Sequence, residues 1–497
     1  MNALNCIDVY KVGHKDQYPD KTEFIYSNFT PRSSRLFTGS KLYDNKVVVF
    51  GIQTLIIDYL INEWNNSFFN KPRDLVIERY KRRIKGITGV EIDTSHIGAL
   101  HDLGYLPIRI KALEEGTRSP IKIPVLTITN TNSKFFWLVN YLETVISTEL
   151  WKPMTTATIA FEYRRIFEYY SILTGSSKDF IKFQGHDFSA RGLSNREDGY
   201  KSGIGHLLSF YGTDTVRAID GAEDFYDANV ETEIVGVSVF ATEHSVMSLG
   251  SKESEIDTFR RLINEIYPIG IVSIVSDTWD FWKVISEYTL ELKDEILARN
   301  GKVVFRPDSG NPVDIICGDE NASGCIKKGA IETLWDIFGG TVNEKGFKTL
   351  NQKVGLIYGD SITLQRQEEI LEKLMQKGFA SDNVVLGIGS YSYQYNTRDT
   401  LGFAMKATYG VVDGEAREIF KNPKTDNGIK KSARGLLQVE KINGDLMLKD
   451  QCTFGEELSG ELKTVFLNGK LINNITLKEI RKLIDMSILE SFNKTLS

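Results

Sequence analysis

Lys302-Val303-Val304-Phe305-Arg306-Pro307-Asp308-Ser309-Gly310-Asn311-Pro312 is a run of β-branched and aromatic residues cut off by a cation, a proline, an acid and a glycine turn. Such a run reads as a buried strand that carries charge at its carboxyl end. In parallel α/β folds the strand tips and their loops face one crevice while helices cover the sides, so reactive groups gather there. The same grammar recurs at Lys182 to Gly192, Ile234 to His244, Ile269 to Asp277, Val354 to Asp360 and Asn383 to Ser390. Between these strands the spacing predicts helices at Glu253–Glu265, Trp279–Leu297, Ile331–Phe338 and Leu364–Gln376, the last stopped by Gly378. Alternation of this kind over residues 151–410 makes the chain an α/β protein with a parallel, barrel-like core. A doubly wound open sheet is the runner-up.

Outward from that core the chain changes character. Residues 1–150 mix short apolar runs at Phe24–Phe29, Val47–Phe50, Tyr105–Ile110 and Ile121–Thr129 with helical stretches at Gln53–Trp64 and Leu75–Lys85, an antiparallel sheet with helices. Phe135–Trp151 reads as a core helix. Residues 411–497 open with a basic stretch, Lys421–Arg434, which is either a solvated loop or an anion-binding flap carrying Lys421, Lys430, Lys431 and Arg434. A sheet-like portion and an amphipathic helix, Leu477–Phe492, close the sequence.

The net charge of -6 on 497 residues, with both signs interspersed, gives no basic field for nucleic acid. The most apolar long run, Val47–Ile61, is too short and too polar to span a bilayer, and the first residues lack the build of a signal peptide. Cys6, Cys317, Cys325 and Cys452 form no C-x-x-C pair and have no zinc-like histidine spacing, as expected of reduced thiols in a cytoplasmic protein.

Gathered at one mouth, the strand tips offer Phe188, Arg191, Asp214, Ser238, His244, Ser273, Asp277, Arg306, Asp308, Gly359, Asp360, Gly387 and Gly389. Cations beside glycines fit a phosphate, because Arg pairs with it bidentately and glycine lets backbone N–H groups approach. Carboxylates beside cations fit sugar hydroxyls or a magnesium ion carried in on pyrophosphate. A phosphorylated sugar is the expected ligand. No P-loop and no G-x-S-x-G elbow is present, and Gly387-Ile388-Gly389-Ser390-Tyr391-Ser392 lacks the third glycine of a dinucleotide fingerprint. His14, His96, His101 and His206 read as ordinary surface or core groups, and His186 as a strand-tip residue without an evident partner.

Asp8-Val9-Tyr10-Lys11-Val12-Gly13-His14 with Gln17-Tyr18-Pro19, then Gly212-Thr213-Asp214-Thr215-Val216, Ala241-Thr242-Glu243-His244-Ser245 and Arg306-Pro307-Asp308-Ser309-Gly310 resemble the nicotinamide phosphoribosyltransferase family. Gly359-Asp360, Thr397-Arg398-Asp399 and Thr464 to Lys470 continue the resemblance in the same order. It implies an α/β barrel with an α+β domain built from both chain ends, in a homodimer whose active sites straddle the interface. The implied reaction joins nicotinamide to 5-phosphoribosyl 1-pyrophosphate, giving nicotinamide mononucleotide and pyrophosphate. By the same resemblance Phe188 and the other subunit's copy of Tyr10 sandwich the pyridine ring, and Asp214 accepts from the carboxamide. Arg306 and Asp308 hold the ribose beside Asp277. Arg32, Arg191, Arg398, Lys406 and Lys421 face phosphates, and His244 matches a histidine phosphorylated by ATP. Magnesium and a stimulatory ATP are the implied cofactors.

Two positions depart from the family pattern. Its run of small glycines reads here Gly389-Ser390-Tyr391-Ser392-Tyr393, and Ala404 replaces a phosphate-contacting serine. A larger donor, ADP-ribose pyrophosphate, with Tyr391 or Tyr393 stacking on adenine, is therefore an alternative to the ordinary donor. A catalytically weak nicotinamide-binding homologue is another.

Overall fold

In the strand Asn300–Arg306, Val303 and Phe305 are buried among apolar side chains of the surrounding helices, whereas Lys302, Val304 and Arg306 line a central cavity. Period-two alternation therefore gives the strand a helix-facing side and a lumen-facing side. Its neighbour repeats the pattern, with Val272 and Ile274 in the core and Ile271 and Ser273 at the lumen. Both strands run parallel in register, Val303 opposite Val272.

The computed structural model describes residues 2–420 and 433–493. In chain order, strands β1 (Thr22–Thr30), β2 (Ile108–Ala112) and β3 (Leu126–Asn130) precede the long helix α1 (Glu143–Thr174). Next come β4 (Gly185–Asp187), α2 (Arg196–Leu207), β5 (Gly212–Thr213), α3 (Val216–Tyr226), β6 (Phe240–Ala241), β7 (Ile269–Val275) and β8 (Asn300–Arg306). Then follow β9 (Val354–Tyr358), α4 (Leu364–Gln376), β10 (Val384–Ile388), β11 (Ala404–Val412), β12 (Glu415–Glu418), β13 (Lys463–Leu467), β14 (Lys470–Leu471) and α5 (Leu477–Asn493).

Strands β4 to β10 form one parallel sheet in the order β5-β4-β10-β9-β8-β7-β6. Its edges meet where Gly212 bridges Val237, just ahead of β6, with Thr213 N–H donating to the Val237 carbonyl at 3.0 Å. The sheet is thus curled into a barrel, and the open doubly wound arrangement is set aside. A second, antiparallel sheet has the order β12-β11-β1-β3-β2-β13-β14, so it is woven from both ends of the chain.

Helix α1 joins the two layers. Val145, Ile146, Leu150 and Met154 pack in the core under the antiparallel sheet, while Ile159, Tyr163, Ile166 and Phe167 pack in the barrel core. The expected helix Phe135–Trp151 is therefore corrected. It begins as short turns and runs on through Pro153 to Thr174, ending at Gly175 with φ of 70°. Around Pro153 the side chains of Thr155 and Thr158 bond back to the Trp151 and Met154 carbonyls, and Gly175 accepts the left-handed stop.

Two barrel strands are shorter than the sequence predicts. Ile181–Gln184 is a helical turn, leaving only Gly185–Asp187 extended. Of Ile234–His244 only Phe240–Ala241 is a strand, and both residues are exposed rather than buried. Lys421, Lys430 and Lys431 lie outside the described residues; Arg434 stacks over the Phe420 ring at 4.1 Å.

Candidate active site

Three groups of side chains surround the carboxyl end of the barrel. The first begins with Asp214, directly after β5. Its Oδ1 meets His186 Nε2 at 2.9 Å and accepts from Ser238 Oγ at 2.5 Å, which leaves Oδ2 for a ligand N–H. Burial alone would raise the Asp214 carboxyl, but the His186 hydrogen bond and charge, with Ser238, hold it below the usual range. Phe188 stands beside His186 with ring centroids 4.7 Å apart. A Cβ on Gly387 would fall 2.4 Å from the Phe188 ring, so glycine there is what lets the ring lie against β10.

These residues line a cavity of about 570 Å³ that also contains Ser273 and Arg306 and continues down the lumen to Lys302, Asp382 and Asn383. Ser273 Oγ is buried without a partner. At the far end burial pushes the Lys302 amine down and the Asp382 carboxyl up. The bore is otherwise mostly apolar, the setting of a planar, weakly polar ligand.

The second group sits at the tips of β6, β7 and β8. Asp277 Oδ2 accepts from the backbone N–H groups of Asp308 and Ser309 at 2.9 and 2.8 Å and from Ser309 Oγ at 2.6 Å. Its Oδ1 is buried with no protein partner. His244 Nε2 lies 3.2 Å from Asp308 Oδ1 and 3.9 Å from Asp277 Oδ1, and Nδ1 lies 3.0 Å from Thr278 Oγ1. Carboxylates only accept, so Nε2 is the donor toward Asp308. Arg306 is anchored by an Nη2 bond to the Thr242 carbonyl at 2.6 Å, while its Nε is buried and unpaired. Gly359 packs beside both, an added Cβ lying 3.5 Å from Asp308 Cβ, and Asp360 next to it is exposed.

The turn after β10 forms the rim. Gly389 has open space where a side chain would be, and Ser390 starts the short helix Ser390–Tyr393. The Ala190–Gly192 turn, which carries exposed Arg191, presses on it so closely that a Cβ at Gly192 would meet Ser390 Cβ at 2.4 Å. Tyr391 is exposed and pairs with Tyr395 at 5.2 Å. Tyr393 is fully buried, which corrects the expectation that it could stack on a ligand's adenine.

The remaining expected residues are elsewhere. Tyr10, Arg32, Arg398, Ala404 and Lys406 line a separate cavity of about 440 Å³ on the antiparallel-sheet side, together with Asp8, Glu143 and Trp151. The two cavities share no lining residue. One chain therefore holds two separate cavities, the first carrying Asp214, Phe188 and Arg306 and the second Arg32, Arg398 and Lys406. Sequence reading missed His186 as the partner of Asp214. No local pattern marks that pairing, because Asp214 follows a different strand.

Comparison with known proteins agrees with this geometry. Residues 183–470 match the nicotinate phosphoribosyltransferase (NAPRTase) family, and residues 2–110 match the N-terminal domain of nicotinamide phosphoribosyltransferase. The chain is 56% identical over 501 residues to the nicotinamide phosphoribosyltransferase of Acinetobacter baylyi, covering 99% of this chain and 98% of that one. It is 34% identical to the protein of that name from Mycoplasma pneumoniae over 86% of this chain and 93% of the other. Nicotinate-nucleotide pyrophosphorylase from Pyrococcus furiosus superposes with a TM-score of 0.58 at 16% identity, covering 99% and 96% of the two chains. Human nicotinic acid phosphoribosyltransferase does so with 0.52 at 14% identity over 97% and 93%, and both likenesses speak for the fold alone. With a family model over more than half of its length and a full-length relative at 56% identity, the chain belongs to the nicotinate and nicotinamide phosphoribosyltransferase family.

Proposed function

We propose that this protein joins nicotinamide to 5-phosphoribosyl 1-pyrophosphate, forming nicotinamide mononucleotide and releasing pyrophosphate. The observation that carries this reading is the pairing of Asp214 with His186 and Ser238 beside the Phe188 ring. An ionised carboxylate at that position accepts from a carboxamide NH₂ and repels nicotinate, so it selects the amide. The pyridine ring stacks on Phe188, which directs its ring nitrogen toward the second group.

The chemistry follows from charge. As the bond to pyrophosphate lengthens, positive charge grows on the ribose carbon and negative charge on the leaving group. Asp308 and Asp277 stabilise the first, and Arg306 with its unpaired Nε holds the sugar and its oxygens. Fixed, prearranged charges of this kind bind the transition state more tightly than the ground state. Gly389, Ser390 and Arg191 receive the 5′-phosphate, and Arg32, Arg398, Lys406 and Lys421, with Lys430, receive the pyrophosphate. Gly359 and Asp360 border the ribose.

The donor set fits a hydrated magnesium ion. His244, Asp277 and Asp308 present ligand atoms within 4.8 Å of one another, and Asp277 Oδ1 is buried and unpaired. Magnesium prefers oxygen and keeps its waters, so the two carboxylates would hold it through water and His244 would not be a ligand. When bound, the ion neutralises charge on pyrophosphate. ATP is the stimulatory co-substrate in this reading, with the exposed His244 as the phosphate acceptor beside Asp308.

A homodimer is the assembly that would let the two cavities act as half-sites of one active site. Val239, Phe240, Ile266 and Ile269 expose apolar surface around one depression at β6 and the start of β7, which a second copy would cover. Its Tyr10, Arg32, Arg398 and Lys406 would then complete the site. Four unpaired thiols support a cytoplasmic setting, and no helix among the described residues is long and apolar enough to cross a membrane. Neither the ADP-ribosyl donor nor the binding-only reading is favoured, since the full-length relatives carry the name nicotinamide phosphoribosyltransferase and the trio at His244 is intact. The reading is tested by pyrophosphate release with nicotinamide against nicotinate: release with the amide supports it, and equal release with both acids and amides removes the role of Asp214.

A further inference from the structure

The floor beneath the phosphate turn holds a hydrogen-bonded chain that the reaction scheme above does not use. Tyr393, the last residue of the Ser390–Tyr393 turn, is 0% exposed, and its hydroxyl lies 2.7 Å from His206 Nδ1. His206, at the end of α2, is also fully buried and reaches the Gly212 carbonyl through Nε2 at 2.9 Å. A carbonyl only accepts, so Nε2 carries the proton, Nδ1 is the lone-pair atom and Tyr393 is the donor. Burial pushes His206 down to about 4, which keeps the ring neutral and the chain pointing one way at neutral pH. Gly212 lies two residues before Asp214, and the His206 ring is clamped against Phe210 at 5.2 Å. The neighbouring residue is pinned as well: Ser392 Oγ lies 2.5 Å from the Tyr163 hydroxyl, so one of the two donates to the other and the other donates to the Ile362 carbonyl, which both approach.

We propose that Tyr393 and His206 are positioning residues that set the separation between the Ser390 turn and the strand bearing Asp214. The inference rests on the transferase reading, in which Ser390 receives the donor phosphate and Asp214 the carboxamide. Two anchored side chains, 392 and 393, hold the turn from below while Gly389 and Ser390 face the opening. The length of the Tyr393–His206–Gly212 chain then fixes how far the donor's 5′ end lies from the base. Tyr391 and Tyr395, on the outer side, are not part of this chain.

The test compares Tyr393→Phe, His206→Leu and His206→Gln with the wild type in steady-state kinetics, well below each protein's unfolding temperature. Tyr393→Phe removes one oxygen and strands a buried Nδ1, so KM for the phosphoribosyl donor is expected to rise about fivefold or more. His206→Leu loses both bonds and should match or exceed that rise; His206→Gln, which keeps an N–H and an oxygen, should recover part of it. A lowered melting temperature with donor KM within about twofold of wild type in Tyr393→Phe would show a purely structural role and overturn the proposal. If His206→Leu does not fold, the phenylalanine variant still decides. Wild-type protein that forms no mononucleotide would instead overturn the transferase reading itself.

Discussion

In the proposed reaction one residue, Asp214, sets substrate choice. Its charge is kept by His186 and Ser238 although the cavity around it is mostly apolar. Asp214→Asn should lower kcat/KM for nicotinamide by about tenfold, the scale of a hydrogen bond to a charged group, and should let nicotinate react. Competition kinetics with both pyridines reads this, and an unchanged amide preference would remove the assignment. The placement of Asp214, Arg306 and Asp308 at strand tips was legible in the sequence because each brings a charge that a buried strand does not otherwise need. His186 was not, since its partner comes from a different strand 28 positions later. Such pairings are made by barrel closure and leave no local trace.

At the scale of elements, two contacts tie the covering helices to the strands that carry the site. Arg481 on α5 donates to the carbonyls of Leu207, Ile234 and Val235 at 2.7, 2.6 and 2.6 Å, just ahead of Ser238. Replacing it with Met leaves three carbonyls without this donor, two of them buried, and should cost about 3 kcal/mol in urea unfolding, with a raised KM for nicotinamide. A variant as stable as wild type would contradict the role of α5. The second contact is Glu115, whose carboxylate accepts from Gly51 N, Gln53 N and the Tyr226 hydroxyl on α3. Burial pushes its carboxyl up from 4.5 to about 6 despite those bonds. The folded state thus binds the extra proton between these values, so this contribution to stability is complete below pH 4.5 and lost as pH rises through 6. The change is worth about 2 kcal/mol. Glu115→Gln should flatten that part of the stability profile, and an unaltered slope would place the titration elsewhere. Helix α4 was legible to the residue from its apolar period, whereas β6 was predicted too long. Its apolar residues, Val237, Val239 and Phe240, are exposed at a surface rather than buried in a sheet.

For the whole molecule, the sequence made the barrel visible as repeated strand tips and the second layer as mixed short runs. It could not show that β1 to β3 and β11 to β14 share one sheet, because register between distant strands depends on packing and not on local pattern. Nor could it separate the expected site into two cavities. That separation makes a prediction about assembly. Arg398→Ala and Asp308→Asn subunits, each inactive alone, should regain about a quarter of wild-type activity when unfolded together and refolded, because mixed dimers hold one intact site. Recovery of none would place both half-sites within a single chain's reaction path and contradict the shared site.

The central claim is a transfer of phosphoribose to nicotinamide, and mass spectrometry of the products tests it most directly. The protein would be incubated with nicotinamide, magnesium and 5-phosphoribosyl 1-pyrophosphate, and in parallel with ADP-ribose pyrophosphate, each with and without ATP. Nicotinamide mononucleotide from the first donor, more of it with ATP, is the expected result. NAD formed directly from the second donor, with the first inert, would contradict the account.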